Sequence, residues 1–214
     1  MEKIQEQETE EIILNAAMEE FIDKGRHGAK MQNIANRAGV NKALLHYYYR
    51  SKEKLYAKIF KIVYKRFFSE FIKLINNDKP FLEILRSFIP TYMNLLNKNP
   101  KIPLFIMKEL SEGGETVHNV LKREIDDGKL SYKRFDMIIQ QAVDKGEIVA
   151  LDPHQLIATI IGSCLFFFIA EPIFTALVAR GSEFDREKFI KERQQAVYET
   201  ITMGIIPRGD ANGN

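Results

Sequence analysis

The sequence predicts an all-α fold of about nine helices, and three observations carry that prediction. No stretch alternates apolar and polar residues as a half-buried strand does. Apolar residues instead recur every third or fourth position along most of the chain. The breaks fall at Gly25 and Gly28, Asn99-Pro100, Gly113-Gly114, Gly128, Gly146 with Asp152-Pro153, and Gly181, where glycine or proline interrupts the pattern.

Taken in order, Ile12, Ile13, Ala16, Ala17, Phe21 and Ile22 define a first helix over 8–24. Two short helices fill 31–50. Ser51 can cap a fourth helix of about 25 residues, with Leu55, Ile59, Ile62, Val63, Phe67 and Phe71 at helical spacing, ending near Asn76-Asn77-Asp78. Further helical patterns cover 80–97, 101–111, 131–145, 153–180 and 185–205, with a weaker one at 115–126. Pro90, Pro103 and Pro172 are expected to kink or delay their helices. The organisation expected is a short helical domain over 1–51, a longer helical domain over 52–206, and a disordered tail over 207–214.

The stretch 31–50, MQNIANRAGVNKALLHYYYR, is the most informative. It reads as helix, tight turn, helix. Ile34, Ala35, Ala38, Val40, Leu45 and Tyr48 occupy the inward positions, and Ala35 is small enough for two helices to cross closely. Gly39 stands where a sharp turn needs positive φ, and Asn41 offers an N-cap to the second helix. That arrangement is the helix-turn-helix, whose second helix enters a DNA major groove. Charge agrees: residues 24–66 hold twelve basic residues and one acidic residue, Glu53, a local charge of +11 against +2 for the whole chain. A polyanion is the partner such asymmetry implies.

Composition excludes several classes. A 45% hydrophobic chain of 214 residues can build a sizeable core. A single cysteine, Cys164, excludes an intrachain disulfide and a Cys-rich zinc site, and its apolar run marks it as a small buried residue. His27, His118 and His154 lack metal-ligand spacing. No P-loop, nucleophile elbow or paired-carboxylate motif occurs. No enzyme activity, metal or cofactor is therefore expected. The polar N-terminus has no signal-peptide apolar region, so a cytoplasmic protein is expected. Residues 155–170 carry no charge, but sixteen residues fall short of the roughly 20 a spanning helix needs. A helix buried in a bundle or subunit interface is expected there, with no membrane partner. A membrane-associated helical protein is the competing reading.

Over 12–56 the chain resembles the TetR family of bacterial transcriptional regulators. ILNAAMEEFIDKG and IANRAGVNKALLHYYYRSKEKLY carry the likeness: a first helix with apolar-Ala-Phe spacing, an Ile-Ala pair, an Ala-Gly-Val turn, an aromatic cluster, then Lys-Glu-x-Leu. Two positions depart from the family pattern. The family usually opens its second helix with Thr or Ser, whereas Ala29-Lys30-Met31 supplies no hydroxyl; Lys30 can replace a phosphate contact but not the cap. The aromatic cluster reads His46-Tyr47-Tyr48-Tyr49, with His46 where the family has Tyr.

The resemblance and the outward positions together mark Lys30, Gln32, Asn41, Lys42, Ala43, Leu44, His46, Tyr47 and Lys52 as DNA-facing. Lys42 can reach a guanine edge or a phosphate, Ala43 and Leu44 suit a thymine methyl, and Tyr47 and Lys52 suit phosphates. Leu44 equally suits packing under the first helix, and Tyr48 and Tyr49 suit packing between helices.

The family's C-terminal domain implies a small-molecule pocket, for which Phe67, Phe71, Phe88, Tyr92, Phe105, Met107 and Phe167 are the candidates; plain core is the alternative for each. It also implies a homodimer through the last two helices. There Ala158, Gly162 and Phe166 face Phe189, Ala196, Val197, Thr200, Ile201 and Gly204 as candidate interface residues, with small residues one turn apart. The expected protein is a repressor released from a palindromic operator by a small apolar or aromatic effector, the alternative being a DNA-binding regulator with no small-molecule ligand.

Overall fold

The computed structural model describes residues 2–75, 79–127, 132–179 and 183–207. Among them are ten helices and no strand: α1 Glu2–Gly28, α2 Met31–Ala38, α3 Lys42–Tyr48, α4 Lys52–Ile75, α5 Phe81–Lys98, α6 Lys101–Ser111, α7 Glu115–Asp126, α8 Tyr132–Asp144, α9 Pro153–Ala179 and α10 Arg186–Ile205. The weak pattern at 115–126 is a full helix, α7, which takes the count past nine. It buries no residue completely, although its apolar residues keep to one face. Helix α1 starts at Glu2 rather than near Glu8 because its first turns are polar and leave no apolar trace. Gly25, at φ 68° and ψ 172°, kinks α1 rather than ending it.

The chain divides into two compact units. The first holds residues 1–66 and 99–127, hence α1–α3, most of α4, α6 and α7. Its core centres on aromatic rings: Phe21 meets Tyr56 edge-on at 4.6 Å, and Phe105 lies 5.3 Å from Tyr56 and 5.0 Å from Phe60. Edge and tilted geometries set the positive rim of one ring against the negative face of the next. Ile13, Ala17, Ile34 and Leu45 fill in from α1–α3. Ile12 stands outside this core, half exposed.

The second unit holds residues 67–98 and 128–214, hence the end of α4 with α5 and α8–α10. Ile89, Met93 and Leu96 of α5 pack with Phe167 of α9 and Val197 of α10 among its buried side chains. Pro90 sits inside α5. Near Pro172, α9 loses helical geometry at Ala170 (φ −100°, ψ 15°), the distortion expected where a proline ring displaces a preceding carbonyl. Arg186 braces that bend with 2.6 and 3.1 Å hydrogen bonds to Glu171, and also bonds Asn97 of α5. Asp185 caps α10 through the Lys188 amide at 3.0 Å. Cys164 is fully buried, and desolvation pushes its thiol up to about 12.

Candidate nucleic-acid interface

Helices α2 and α3 and their turn form the outer edge of the first unit. Ile34, Ala35 and Ala38 bury the inner side of α2. Gly39 takes the left-handed conformation, φ 66° and ψ 24°, so that its amide and that of Val40 return to the carbonyls of Asn36 and Ala35 at 3.2 and 3.0 Å. A Cβ added at Gly39 would meet no atom within 4 Å, so the demand for glycine is set by the backbone alone. Asn41 accepts the Leu44 amide proton at 2.8 Å, the N-cap its type predicts.

Helix α3 buries only Leu45. Val40 and Tyr48 are half-buried; the buried tyrosine is Tyr49. Tyr49 follows the last turn in extended geometry, φ −134° and ψ 100°, which breaks the helical period and turns its ring inward. Its hydroxyl donates to Glu10 at 2.8 Å. That bond, more than the one to Lys58, holds the Glu10 carboxyl below its usual range.

The outer face then consists of Asn41, Lys42, Ala43, His46 and Tyr47, all exposed, with Leu44 half-buried. Tyr47 is 75% exposed. Asn41 uses its carbonyl oxygen as the cap, which leaves its NH₂ outward. On α2, Gln32 is exposed and donates to Asn36 at 2.9 Å. Lys30 is exposed at the N-cap position without a side-chain cap. Lys52 is half-buried; its ammonium donates to the carbonyls of His27 and Ala29 at 3.0 and 3.2 Å, and so closes the end of α1.

Sequence reasoning missed Glu20. It sits on α1, 1% exposed, beside the inward face of Ala16, Ala17 and Phe21. Its carboxylate accepts the Asn33 side-chain Nδ2–H at 2.9 Å and, weakly, the Lys30 backbone N–H at 3.4 Å, and forms an ion pair with Arg37 Nε at 3.1 Å. A long-range carboxylate thus ties the head of α2 to α1, where Lys30 gives no side-chain cap. The local charge is also less than the sequence window implies. Arg37 pairs with Glu19, Glu20 and Asp23, and Lys58 with Glu10, all acidic groups of α1 outside that window. Lys30, Lys42, Arg50 and Lys54 are exposed and keep no ion-pair partner among the described residues.

The other end of α1 is gripped by the turn between α6 and α7, inside the same unit. Glu112 accepts the Arg26 backbone N–H at 2.9 Å, and a Cβ on Gly25 would overlap the Glu112 carboxylate. Arg26 reaches Glu115 and Thr116 and lies over the Tyr56 ring, 5.8 Å from its centroid. Glu109, 2% exposed, accepts the Tyr56 hydroxyl and the Thr116 amide, both at 2.6 Å. Burial, and then that bond, raises the Tyr56 hydroxyl above the ordinary tyrosine value.

The family model described as "Bacterial regulatory proteins, tetR family" matches residues 13–59, the span that holds α2, α3 and their turn. The HTH-type transcriptional regulator RutR of Escherichia coli (strain K12) is 26% identical over 92% of this chain and 90% of its own length. Residues 13–59 thus carry the DNA-binding region of the TetR family of bacterial transcriptional regulators. The fatty acid metabolism regulator protein of Bacillus subtilis (strain 168) is 25% identical over 64% of this chain and 69% of its own. Among solved structures, the Bacillus subtilis transcriptional regulator FadR in complex with stearoyl-CoA superposes with a TM-score of 0.65 at 20% identity, covering 90% of this chain and 97% of that one. With that region the chain is a DNA-binding, all-α protein.

The effector candidates fall in different places. Phe105 is in the first unit's core, and Met107, also in that unit, is 39% exposed. Phe88 and Tyr92 stack at 5.3 Å in the second unit, where Phe167 packs 4.9 Å from Phe189. The side chains of Phe67 and Phe71 lie outside the described residues. The apolar slot between α5, α8 and α9, lined by Phe88 among others, encloses about 20 Å³, room for about one water. The interface candidates divide by exposure. Ala158, Gly162, Phe166, Thr200 and Gly204 are exposed, Phe189 and Ala196 half-buried, and Val197 and Ile201 buried within the protomer. Among the described residues no group of three His, Cys, Asp or Glu side chains could hold a metal.

The apolar run in α9 is longer than the sixteen residues counted in the sequence. Pro153–Leu177 spans 25 residues of the bent helix and includes an 18-residue stretch of mean hydropathy 2.1, long and apolar enough by length and composition to cross a bilayer, with a third of that stretch buried. Pro172 bends the run without ending it, which is why sequence breaks understate its length.

Proposed function

We propose that this regulator is a cytoplasmic homodimeric repressor that binds a palindromic operator and is released by a small apolar effector. The observation that carries the DNA reading is the α2–α3 pair. A left-handed Gly39 and an Asn41 cap fix the turn, and Lys42, Ala43, His46 and Tyr47 stand outward on a seven-residue helix. The exposed apolar side of α9 supports the dimer: Phe166, Ile173 and Leu177 are 57%, 60% and 64% exposed, a stripe a second copy would cover. Two-fold pairing presents two α3 helices, which implies two inverted half-sites. In this reading residues 1–51 contact DNA, and 52–206 bind the effector and the second subunit.

An acyl chain is the effector that the relatives support, through the fatty acid regulator's name and the stearoyl-CoA held by FadR. The transmission runs along the chain. Helix α4 belongs to both units, and α5 passes into α6 through Asn99 and Pro100, ahead of the Glu109 and Glu112 grip on α1. A second reading, a regulator with no small-molecule ligand, is favoured by the 20 Å³ slot, which no effector enters without parting its helices.

Selection from a random duplex library, followed by footprinting, tests the operator. The expected product is an inverted repeat; a lone half-site would overturn the dimer reading. On that operator, Lys42→Ala should cost about 1–3 kcal/mol and shift the preferred half-site sequence if Lys42 reads a base. A uniform loss across all sequences would leave it with phosphate alone. Release of the operator by acyl-CoA or fatty acid separates the two readings.

A further inference from the structure

Two hollows of the second unit share Phe81 and Ile138. The inner one is the apolar slot, with Ile84 and Phe88 of α5, Phe135 and Ile138 of α8, and Ile157 and Ile160 of α9 on its walls. The outer one is an open cleft of about 510 Å³ beside the start of α5 and along α8. Lys79, Arg134 and Lys145 stand on its wall, opposed by one carboxylate, Glu147. Glu147 Oε2 is buried, and no protein group among the described residues donates a hydrogen bond to it. Three cations at the mouth of an apolar slot suit neither a neutral aromatic nor a small polar molecule. They suit an amphiphile with a negative head.

We infer that the effector is a long-chain acyl compound with an anionic head, seated in these two hollows. Lys79, Arg134 and Lys145 hold the head. The chain parts α8 from α5 and α9 and fills the slot. This rests on the ligand-responsive reading above and adds the site and the head-group chemistry to it. Because the slot is closed at about 20 Å³, the ligand selects an opened arrangement, and only a chain that buries many methylenes can stabilise it. A fatty acid carboxylate and a phosphate-bearing acyl thioester share the required chemistry.

Calorimetry on the full-length protein with stearate, stearoyl-CoA and coenzyme A tests this. A chain-bearing probe should bind, and coenzyme A alone should bind at least a hundredfold more weakly. Stearoyl-CoA tighter than stearate assigns the head to the thioester; equal or tighter stearate assigns it to the free acid. Shortening stearoyl to palmitoyl should weaken binding roughly tenfold, as expected for two buried methylenes. The double variant Lys79→Glu, Lys145→Glu should weaken the preferred probe more than tenfold. Met137 lines the cleft and is 53% exposed. Met137→Cys should react with a maleimide and be protected by the ligand, over a low background from buried Cys164. A probe that binds with no effect of the charge reversal and no protection at Met137→Cys overturns this site and leaves a ligand-responsive regulator. Failure of every probe to bind overturns the acyl effector and the site together.

Discussion

Helices α3 and α9 treat their apolar groups in opposite ways. The short α3 hides Leu45, tucks Tyr49 behind its last turn, and shows solvent a mostly polar face. Local and polar constraints add to that packing: the Gly39 turn, the Asn41 cap, and the Glu20 carboxylate that ties α2 to α1. The 27-residue α9 carries one carboxylate, Glu171, and leaves Phe166, Ile173 and Leu177 more than half exposed, with Met203 of α10 at 68%. A reader of DNA has to be held rigid before it meets its partner, and polar clamps do that without offering a sticky surface. An exposed apolar helix is finished only by a second surface.

The largest test of this contrast attacks the clamp. Glu20→Ala strips Asn33, Arg37 and the Lys30 amide of a shared acceptor, and should cost about 2–3 kcal/mol in urea unfolding while weakening operator binding. A loss within a few tenths of a kcal/mol would mean that α2 is held by packing alone. The next attacks α9. At Gly162 and Gly204 an added Cβ meets no atom within 4 Å in the protomer, so Gly162→Leu is aimed at what lies outside it. Sedimentation should show the dimer dissociating at least tenfold more readily, about 1.4 kcal/mol, with operator affinity falling in step. A monomeric wild-type protein that fractionates with membranes after a salt wash would instead give α9 to the bilayer.

The turn was legible because its signals are adjacent in sequence. Gly39 and Asn41 act on neighbours within three residues, and their side-chain types name their roles. Glu20 was not legible, since a carboxylate among Ala16, Ala17 and Phe21 reads as a gap in an apolar face and its partners lie 10 to 17 positions away. Tyr48 was placed inward by a period that stops at Tyr48 itself. Lys52 was read as a phosphate contact, and nothing in its sequence neighbourhood announces the carbonyls of His27 and Ala29 that its ammonium holds. Shared apolar composition gave Phe105 and Phe88 one expected role, though they sit in different units.

Two smaller tests sharpen the clamp side. Gly25→Ala forces a side chain into a positive φ and against Glu112, and should destabilise by about 1–2 kcal/mol. Adding Glu112→Ala should restore the steric part and leave the backbone part, so full recovery would show that φ at 25 is relaxed. The smallest effect is on pH. The Glu10 carboxyl is lowered in the fold, so its bonds to Tyr49 and Lys58 contribute at neutral pH and are lost as pH falls below about 4.5, through the folded value. Glu10→Gln should therefore flatten the acid limb of stability slightly and leave the neutral-to-alkaline span unchanged.

The Arg26 amide gives the molecule an internal clock. In an unkinked helix that proton would exchange with solvent at a rate set by α1. Here it is bonded to a carboxylate from the α6–α7 turn, so its exchange rate reports how often that turn lets go. One backbone position therefore measures, in real time, whether the α6–α7 turn still holds the end of α1.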